Sequence, residues 1–261
     1  MDILVKEHKY MSKKYPTLPN PPITEALIDI RVDPSDDVNL EAVEKYYDIV
    51  KDDFPLKSER FEIKSHLEIT QGNPTKFSEK QNNIGYLFKT SVKDKVVQSQ
   101  INGFTFNKLM PYYKWPLFIK EARSLWMEYC QLVKPKKVVR LGVRFINRIL
   151  IPLPINDIEE YFLTIPKISP KLDLRTNHYL LRFQLSDNKN YKKANVIQTI
   201  ESPEIIAAHK LLPFIFDIGV YINDSFNSDD PIIFDHLEDL RDFKNSIFFE
   251  SITKKTEGLF Q

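Results

Sequence analysis

The sequence predicts an α+β fold in which two similar halves each follow the order β-α-β-β-β-α. Three observations lead to this prediction: segments in which apolar and polar residues alternate, long segments with apolar residues at helical spacing, and the return of the same element order later in the chain. Residues 1–20 are predicted to be a lead-in, 21–135 the first half and 136–261 the second, and the halves can form one compact domain. We expect mainly antiparallel sheets with the helices on one face and a pseudo-twofold axis between the halves.

The first half opens with the strand ITEALIDIRV, and the apolar spacing of residues 40–54 then predicts a helix. Three strands are predicted next, in RFEIKSHLEIT, NIGYLFKTS and KVVQSQI, where Phe61 and Ile63 alternate with charged residues. The short segment GFTFNKL after Asn102 fits either a return strand or a bulge. A long helix is predicted over 115–133, with Pro116 in its first turn, where a missing N–H costs nothing.

The second half opens with the predicted strand VVRLGVRFINRILIP. A short helix is predicted in NDIEEYF, where Asn156 and Glu159 have the spacing of a capping box. Three further strands are predicted in HYLLRFQL, NVIQTI and FIFDIGVYI. The segment DHLEDLRDFKNSIFFESIT predicts a closing helix, and Asp235 with Glu238 again has capping-box spacing.

Composition excludes several classes of function. The 37 basic and 36 acidic residues nearly cancel, so any anionic partner must meet a local patch. Cys130 is the only cysteine, which excludes an internal disulfide and a thiolate zinc site and predicts a reducing, cytosolic location. Six glycines and the absence of phosphate-loop motifs argue against a glycine-rich loop that cradles phosphates, and no hydrolase signature is present. We therefore expect no cofactor, no resident metal and no membrane association.

The candidate site is a strand that carries arginines at every fourth position. Residues at even spacing share one face of a strand, which predicts that Val138, Arg140, Gly142, Arg144, Ile146 and Arg148 face one side and that the core lies on the other. Glu25 and Asp29 share a face of the opening strand. If the two halves are related, these strands are central neighbours, and the two acids are expected to pair with Arg144 and Arg148. Asp217 is a third candidate acid.

These residues allow three interpretations. The first is a half-buried ion-pair network that fixes the register of the halves. The second is an anion-binding floor for a phosphate, a nucleic-acid backbone or an acidic partner, to which the basic loop of Lys134, Lys136 and Lys137 would add phosphate contacts unless it is simply solvated. The third takes Glu25, Asp29 and Asp217 as hard oxygen ligands for magnesium in a metal-dependent phosphodiesterase.

Several segments together resemble an uncharacterised protein family that is distributed sporadically across bacteria and archaea. They are PPITEALIDIRV, VVQSQINGFTFNKLMPYYKW, RLGVRFINRILIP, FDIGVYI and SIFFESITKKTEGLF. Gly219 stands where the resemblance leads us to expect a second aspartate. The resemblance implies no catalytic residue, but a patchy distribution is typical of genes for phage defence and toxin–antitoxin pairs.

The sequence thus favours a non-enzymatic, cytosolic binding protein that serves as an accessory or regulatory subunit of a protein complex. A nucleic-acid-binding subunit is the first alternative and the metal-dependent phosphodiesterase the second. Another protein is the expected partner, and nucleic acid is the other candidate partner.

Overall fold

The computed structural model of the protein describes residues 15–68, 76–169, 171, 178–189 and 191–261. Residues 1–14 of the expected lead-in, and residues 69 and 70 of the first predicted strand after the helix, lie outside these ranges. None of the helices in the described ranges is both long enough and apolar enough to cross a bilayer.

Ten strands of the described residues form a single sheet. They are β1 (Ile23–Asp33), β2 (Leu56–Glu68), β3 (Lys76–Lys89), β4 (Lys95–Gln100), β5 (Gly103–Leu109), β6 (Lys137–Pro152), β7 (Leu180–Ser186), β8 (Lys193–Ile200), β9 (Glu204–Ile206) and β10 (His209–Phe226). The helices are α1 (Leu40–Glu44), α2 (Tyr46–Val50), α3 (Trp115–Val133), α4 (Ile232–Ser251) and α5 (Lys254–Glu257), with 3₁₀ turns at Ile158–Glu160 and Gly258–Phe260. The α+β class is therefore confirmed.

The sheet is antiparallel and has the strand order β2-β3-β4-β5-β1-β6-β10-β8-β7, with β9 paired to β10. The opening strand and the arginine strand, β1 and β6, are central neighbours, as predicted. Outward from this pair the order is β5, β4, β3 on one side and β10, β8, β7 on the other. In each direction the next strand out is therefore the strand that precedes a long helix, α3 or α4.

The helices pack on one face of the sheet through aromatic side chains. Phe104 and Phe106 of β5 contact Trp126 and Phe118 of α3, and Phe216 of β10 stacks on Phe248 of α4 at 5.9 Å between centroids. On the first half, Tyr46 lies between Phe88 of β3 and Tyr129 of α3. Because strand residues alternate between faces, this leaves the opposite face of the central strands for the polar residues.

The strand predictions were correct in outline, and the structure settles or changes four details. GFTFNKL is a full strand, because Gln100 pairs with Gly103 and leaves only two residues for the hairpin loop. β9 was not predicted. Phe61 and Ile63 are 44% and 58% exposed and do not enter the core. Val138 is fully buried instead of facing the arginine side, because a register shift between β1 and β6 passes over Val139 and moves Val138 to the core face.

The helix prediction was correct for α3, which spans the expected residues 115–133, and the other helix predictions were imprecise. The helix over 40–54 is divided at Lys45 into α1 and α2. NDIEEYF forms only a 3₁₀ turn, which Asp157 caps in place of Asn156. The closing helix begins at Ile232, before Asp235, so that its N-terminal N–H groups meet Asp230 and not a capping box.

Candidate functional site

The open face of the sheet holds a trough of about 600 Å³ along the β1–β6 pair. We call it the arginine trough. Its charged lining consists of five arginines and three acids, which gives a net charge of +2 at neutral pH: Arg31, Arg60, Arg140, Arg144, Arg182, Glu25, Asp29 and Asp217. Uncharged polar side chains from β4, β5 and β8 complete the lining: Gln98, Thr105, Asn107 and Asn195.

Asp29 is the centre of the β1 side of the trough. It is 8% exposed and accepts a hydrogen bond from the Thr105 hydroxyl at 2.9 Å. Its carboxylate also lies 2.8 Å from Nη2 of Arg31 and 2.6 Å from Nη1 of Arg140. Two guanidinium groups therefore share one buried carboxylate, and the Arg140 guanidinium also lies over the Tyr221 ring at 4.6 Å. This arrangement satisfies the acid and leaves a local excess of positive charge.

Asp217 holds Arg144 in a bidentate pair on the β10 side. Nε and Nη2 of Arg144 donate to the two carboxylate oxygens at 2.8 and 2.5 Å, and this hydrogen bonding raises the pKa of the Arg144 guanidinium. Gly219 is the register partner of Arg144 on β10. A Cβ at Gly219 would lie 3.5 Å from the Arg144 side chain, so the arginine stem lies across the glycine to reach Asp217.

Glu25 is held by a chain of amides. Asn107 Nδ2 donates to Glu25 Oε1 at 2.5 Å, and Gln98 Nε2 donates to Asn107 Oδ1 at 3.2 Å. The buried Oε1 of Gln98 accepts no hydrogen bond from the described residues. The expected pairing of Glu25 and Asp29 with Arg144 and Arg148 was therefore wrong in detail, since Asp29 meets Arg140 and Glu25 meets an amide.

Arg60 and Arg182 supply the charge surplus. Neither forms an ion pair with a carboxylate within the described part of the chain. Burial lowers the pKa of Arg60, repulsion from Arg31 lowers it further, and Asp29 opposes both. The two arginines belong to β2 and β7, the strands at the two ends of the sheet, yet they line one cavity. The open face therefore curves around the trough and is concave.

Arg148, the third arginine of β6, lies outside the trough. Its Nη1 and Nη2 donate to both carboxylate oxygens of Glu204 at 3.0 and 2.8 Å, and its Nε donates to Glu201 at 3.2 Å. This pairing raises the pKa of Arg148 and lowers that of Glu204. The side chain ties β6 to β9 and to the loop before it, so its ion pairs are with acids that lie outside the trough.

The basic loop is also separate from the trough. Lys136 pairs with Asp36 at 2.6 Å, and Lys137 donates to Asn227 at 2.7 Å. Lys134 ends α3 in the left-handed conformation and, with Lys136, lines another cavity beside Cys130. The structure therefore does not join Lys134, Lys136 and Lys137 to the arginines as one basic surface.

The acids of the trough do not form a metal cluster. Glu25, Asp29 and Asp217 each hold a different nitrogen partner. No group of three His, Cys, Asp or Glu side chains that could hold a metal ion is present in the described ranges. The geometry therefore gives no support to the magnesium hypothesis.

Sequence reasoning missed Arg60 and Arg182 as parts of the site. Arg31 could have been found, because it lies two residues from Asp29 on the same face of β1. The other two come from strands far away in the chain, and their convergence follows only from the curvature of the sheet.

A comparison with protein-family models and with curated protein sequences finds no match for this chain.

Proposed function

We propose that the protein is a non-enzymatic binding protein, an accessory or regulatory subunit that docks another protein on the arginine trough. The observation that carries this proposal is the concave face on which five arginines alternate with three acids. A fixed mixture of both charges complements a folded partner with its own charge pattern, and such complementarity sets specificity and orientation. Arginine is also enriched at protein interfaces.

A nucleic-acid backbone is the second candidate ligand. The observation that favours it is the net positive lining, with Arg60 and Arg182 free of acid partners within the described residues. Arginine side chains that have no acidic partner can donate hydrogen bonds to phosphate oxygens of a nucleic-acid backbone. Asp29 and Asp217 disfavour it, because both carboxylates lie in the same trough and repel a uniformly negative chain.

The symmetric strand order supports the proposed internal duplication. Outward from β1 and β6, the next strand in each direction is the one that leads into a long helix, as a duplicated unit with a pseudo-twofold axis would require. We place the protein in phage defence or a toxin–antitoxin pair on the strength of the family resemblance. In either setting, a cytosolic subunit would bind its partner at the axis.

The test replaces Arg60 and Arg182 with glutamine. Because neither arginine pairs with a carboxylate in the described residues, neither change leaves a carboxylate without its partner. We therefore expect the double variant to fold. The native protein, the double variant and a control with Lys120→Gln and Lys210→Gln are each isolated with their bound partners. We expect the trough variant to lose the partner by about tenfold in affinity, and the control, which loses the same charge, to keep it. A native protein that is a clean monomer, or a trough variant that retains the partner in full, would refute the proposal.

A salt series separates the two candidate ligands. Fluorescence anisotropy with labelled single-stranded and duplex oligonucleotides is measured from about 50 to 200 mM salt. If phosphates contact the trough, the trough variant should reduce the slope of log K against log salt by about 2. Equal binding by all three proteins would instead remove nucleic acid as the trough ligand.

A further inference from the structure

A further cavity, of about 900 Å³, lies on the helix side of the sheet. It is formed by residues 15–23, the segment that leads into α3, and α4. Aromatic and apolar side chains dominate its wall, among them Trp115, Phe145, Phe248 and Phe249. It shares no lining residue with the arginine trough. A mostly apolar cavity of this size with few polar groups is the usual form of a small-molecule site.

Lys244 is a buried charged group in the wall of this cavity. It is 7% exposed, and its Nζ lies 3.9 Å from the centre of the Phe145 ring. It occupies a position on the apolar stripe of α4, one turn from Leu240 and one turn from Phe248. It forms no hydrogen bond or ion pair within the described residues. An unpaired ammonium in such a place is costly, and burial lowers the pKa of Lys244 to about 7, with Arg241 adding to the shift and Asp242 opposing it.

Among the residues that the structure describes, the charged side chains that line the cavity are all basic. They are Lys114 before α3 and Arg241 and Lys244 on α4. The Tyr112 hydroxyl is buried and has no hydrogen-bond partner among the described residues. The Tyr112 ring lies 5.6 Å from that of Phe145, so Tyr112 and the Lys244 ammonium both contact the same aromatic ring. Burial raises the pKa of Tyr112, which therefore remains a neutral donor.

We propose that this cavity binds an aromatic or similarly apolar small molecule that carries one carboxylate. The carboxylate accepts hydrogen bonds from Lys244 and Tyr112, and the apolar body lies among Trp115, Phe145 and Phe248. Such a ligand supplies the acceptor that both buried donors lack. The carboxylate also favours the protonated form of Lys244. Binding is therefore coupled to proton uptake when the pH is above the pKa that Lys244 has in the ligand-free protein.

Matched probes test the proposal by isothermal titration calorimetry. 2-Naphthoate carries the carboxylate, and 2-naphthamide replaces it with a neutral amide of the same shape. At about pH 6.5 we expect naphthoate to bind at least tenfold more tightly than naphthamide, and raising the pH to about 8.5 should weaken naphthoate by roughly tenfold or more as the lysine deprotonates. Equal affinity for the two probes, or no naphthoate binding at about 1 mM, would overturn the proposal.

Variants assign the preference to the lysine. Lys244→Met keeps the apolar volume and should reduce the preference for naphthoate to less than about twofold, whereas the exposed control Lys120→Met should keep it. A Lys244→Met protein that still prefers the acid would contradict the assignment. Acetylation of the wild-type protein, followed by peptide mass spectrometry, needs no folded variant. Naphthoate should protect Lys244 and naphthamide should not, and failure of naphthoate to protect it would also refute the site.

Discussion

Replacing Arg144 with methionine should destabilise the protein more than replacing Asp217 with asparagine, although both changes break the same ion pair. The two partners differ in exposure: the Asp217 side chain is 9% exposed, and that of Arg144 is 45% exposed. Arg144→Met leaves the Asp217 carboxylate without its partner at a site with little access to water. Asp217→Asn leaves the Arg144 guanidinium without a charged partner, but water can hydrate it in its present position.

The magnitudes follow from this asymmetry. Removing one partner of a buried pair costs about 3–5 kcal/mol when the remaining charge stays buried, so we expect Arg144→Met to lower the free energy of unfolding by about 3 kcal/mol. Asp217→Asn removes one charge but keeps an oxygen that can accept from Arg144, and the exposed guanidinium recovers hydration. We expect it to cost about 1 kcal/mol.

Urea denaturation followed by circular dichroism measures both values, and an unchanged slope of the free energy against urea confirms that the comparison is valid. The double variant should lose less than the sum of the single changes, by about 1–2 kcal/mol, because it leaves no orphaned charge. Lys120→Met is the control for loss of a positive charge at an exposed site. An Asp217→Asn variant that is as unstable as Arg144→Met would refute the reasoning from burial.

Three further outcomes are expected. The pKa of Lys244 is about 7 in the folded protein, which is below its value in the unfolded chain. At a pH between these two pKa values the unfolded chain binds more protons than the folded protein, so the free energy of unfolding rises with pH in that range. Lys244→Met should therefore be more stable than wild type at pH 7, and denaturation curves should show this advantage shrinking by about 1.4 kcal/mol per pH unit as the pH is raised towards 9. Gly103→Ala should cost about 1–3 kcal/mol by the same assay, because its Cβ would lie 2.8 Å from the Ile30 carbonyl oxygen, whereas Gly258→Ala, which meets nothing within 4 Å, should be nearly neutral. Burial raises the pKa of the Cys130 thiol to about 12, so iodoacetamide should alkylate it far more slowly in the native protein than in urea; equal rates would contradict its burial.

Alternation of apolar and charged residues was enough to predict both faces of β1 and most of β6. The hypothesis of two related halves predicted that these strands are neighbours, and β1 and β6 do pair. The partners of the arginines could not be predicted in this way. Arg144 stands opposite Leu27 on β1 and Gly219 on β10, and the space above the glycine directs its side chain away from β1. The strand register and the space over Gly219 determine this pairing, and neither can be predicted from the periodicity of the sequence.

The position of Lys244 shows a signal that periodicity does contain. A lysine on the apolar stripe of α4 breaks the pattern set by Leu237, Leu240 and Phe248, and a broken pattern in an otherwise consistent element marks a candidate site. The start of α4 was predicted less well. The capping-box spacing at Asp235 competes with Asp230, whose side chain accepts from the N–H of Ile232, and tertiary packing of Ile233 and Phe234 extends the helix to the earlier residue.

The spacing of the arginines on β6 explains why each has its own partner. Four residues of a strand span about 13 Å, so no single carboxylate can serve two of the three β6 arginines. Arg140 reaches Asp29 on β1, Arg144 reaches Asp217 on β10, and Arg148 reaches Glu204 on β9. One strand thereby carries ion pairs to elements on both of its sides, and a slip of one residue would turn all three guanidinium groups into the core. These pairs are consistent with a network that holds the register of β6. The charge surplus of the trough comes from Arg60 and Arg182 on the two end strands, which is why we direct the binding test at those two residues.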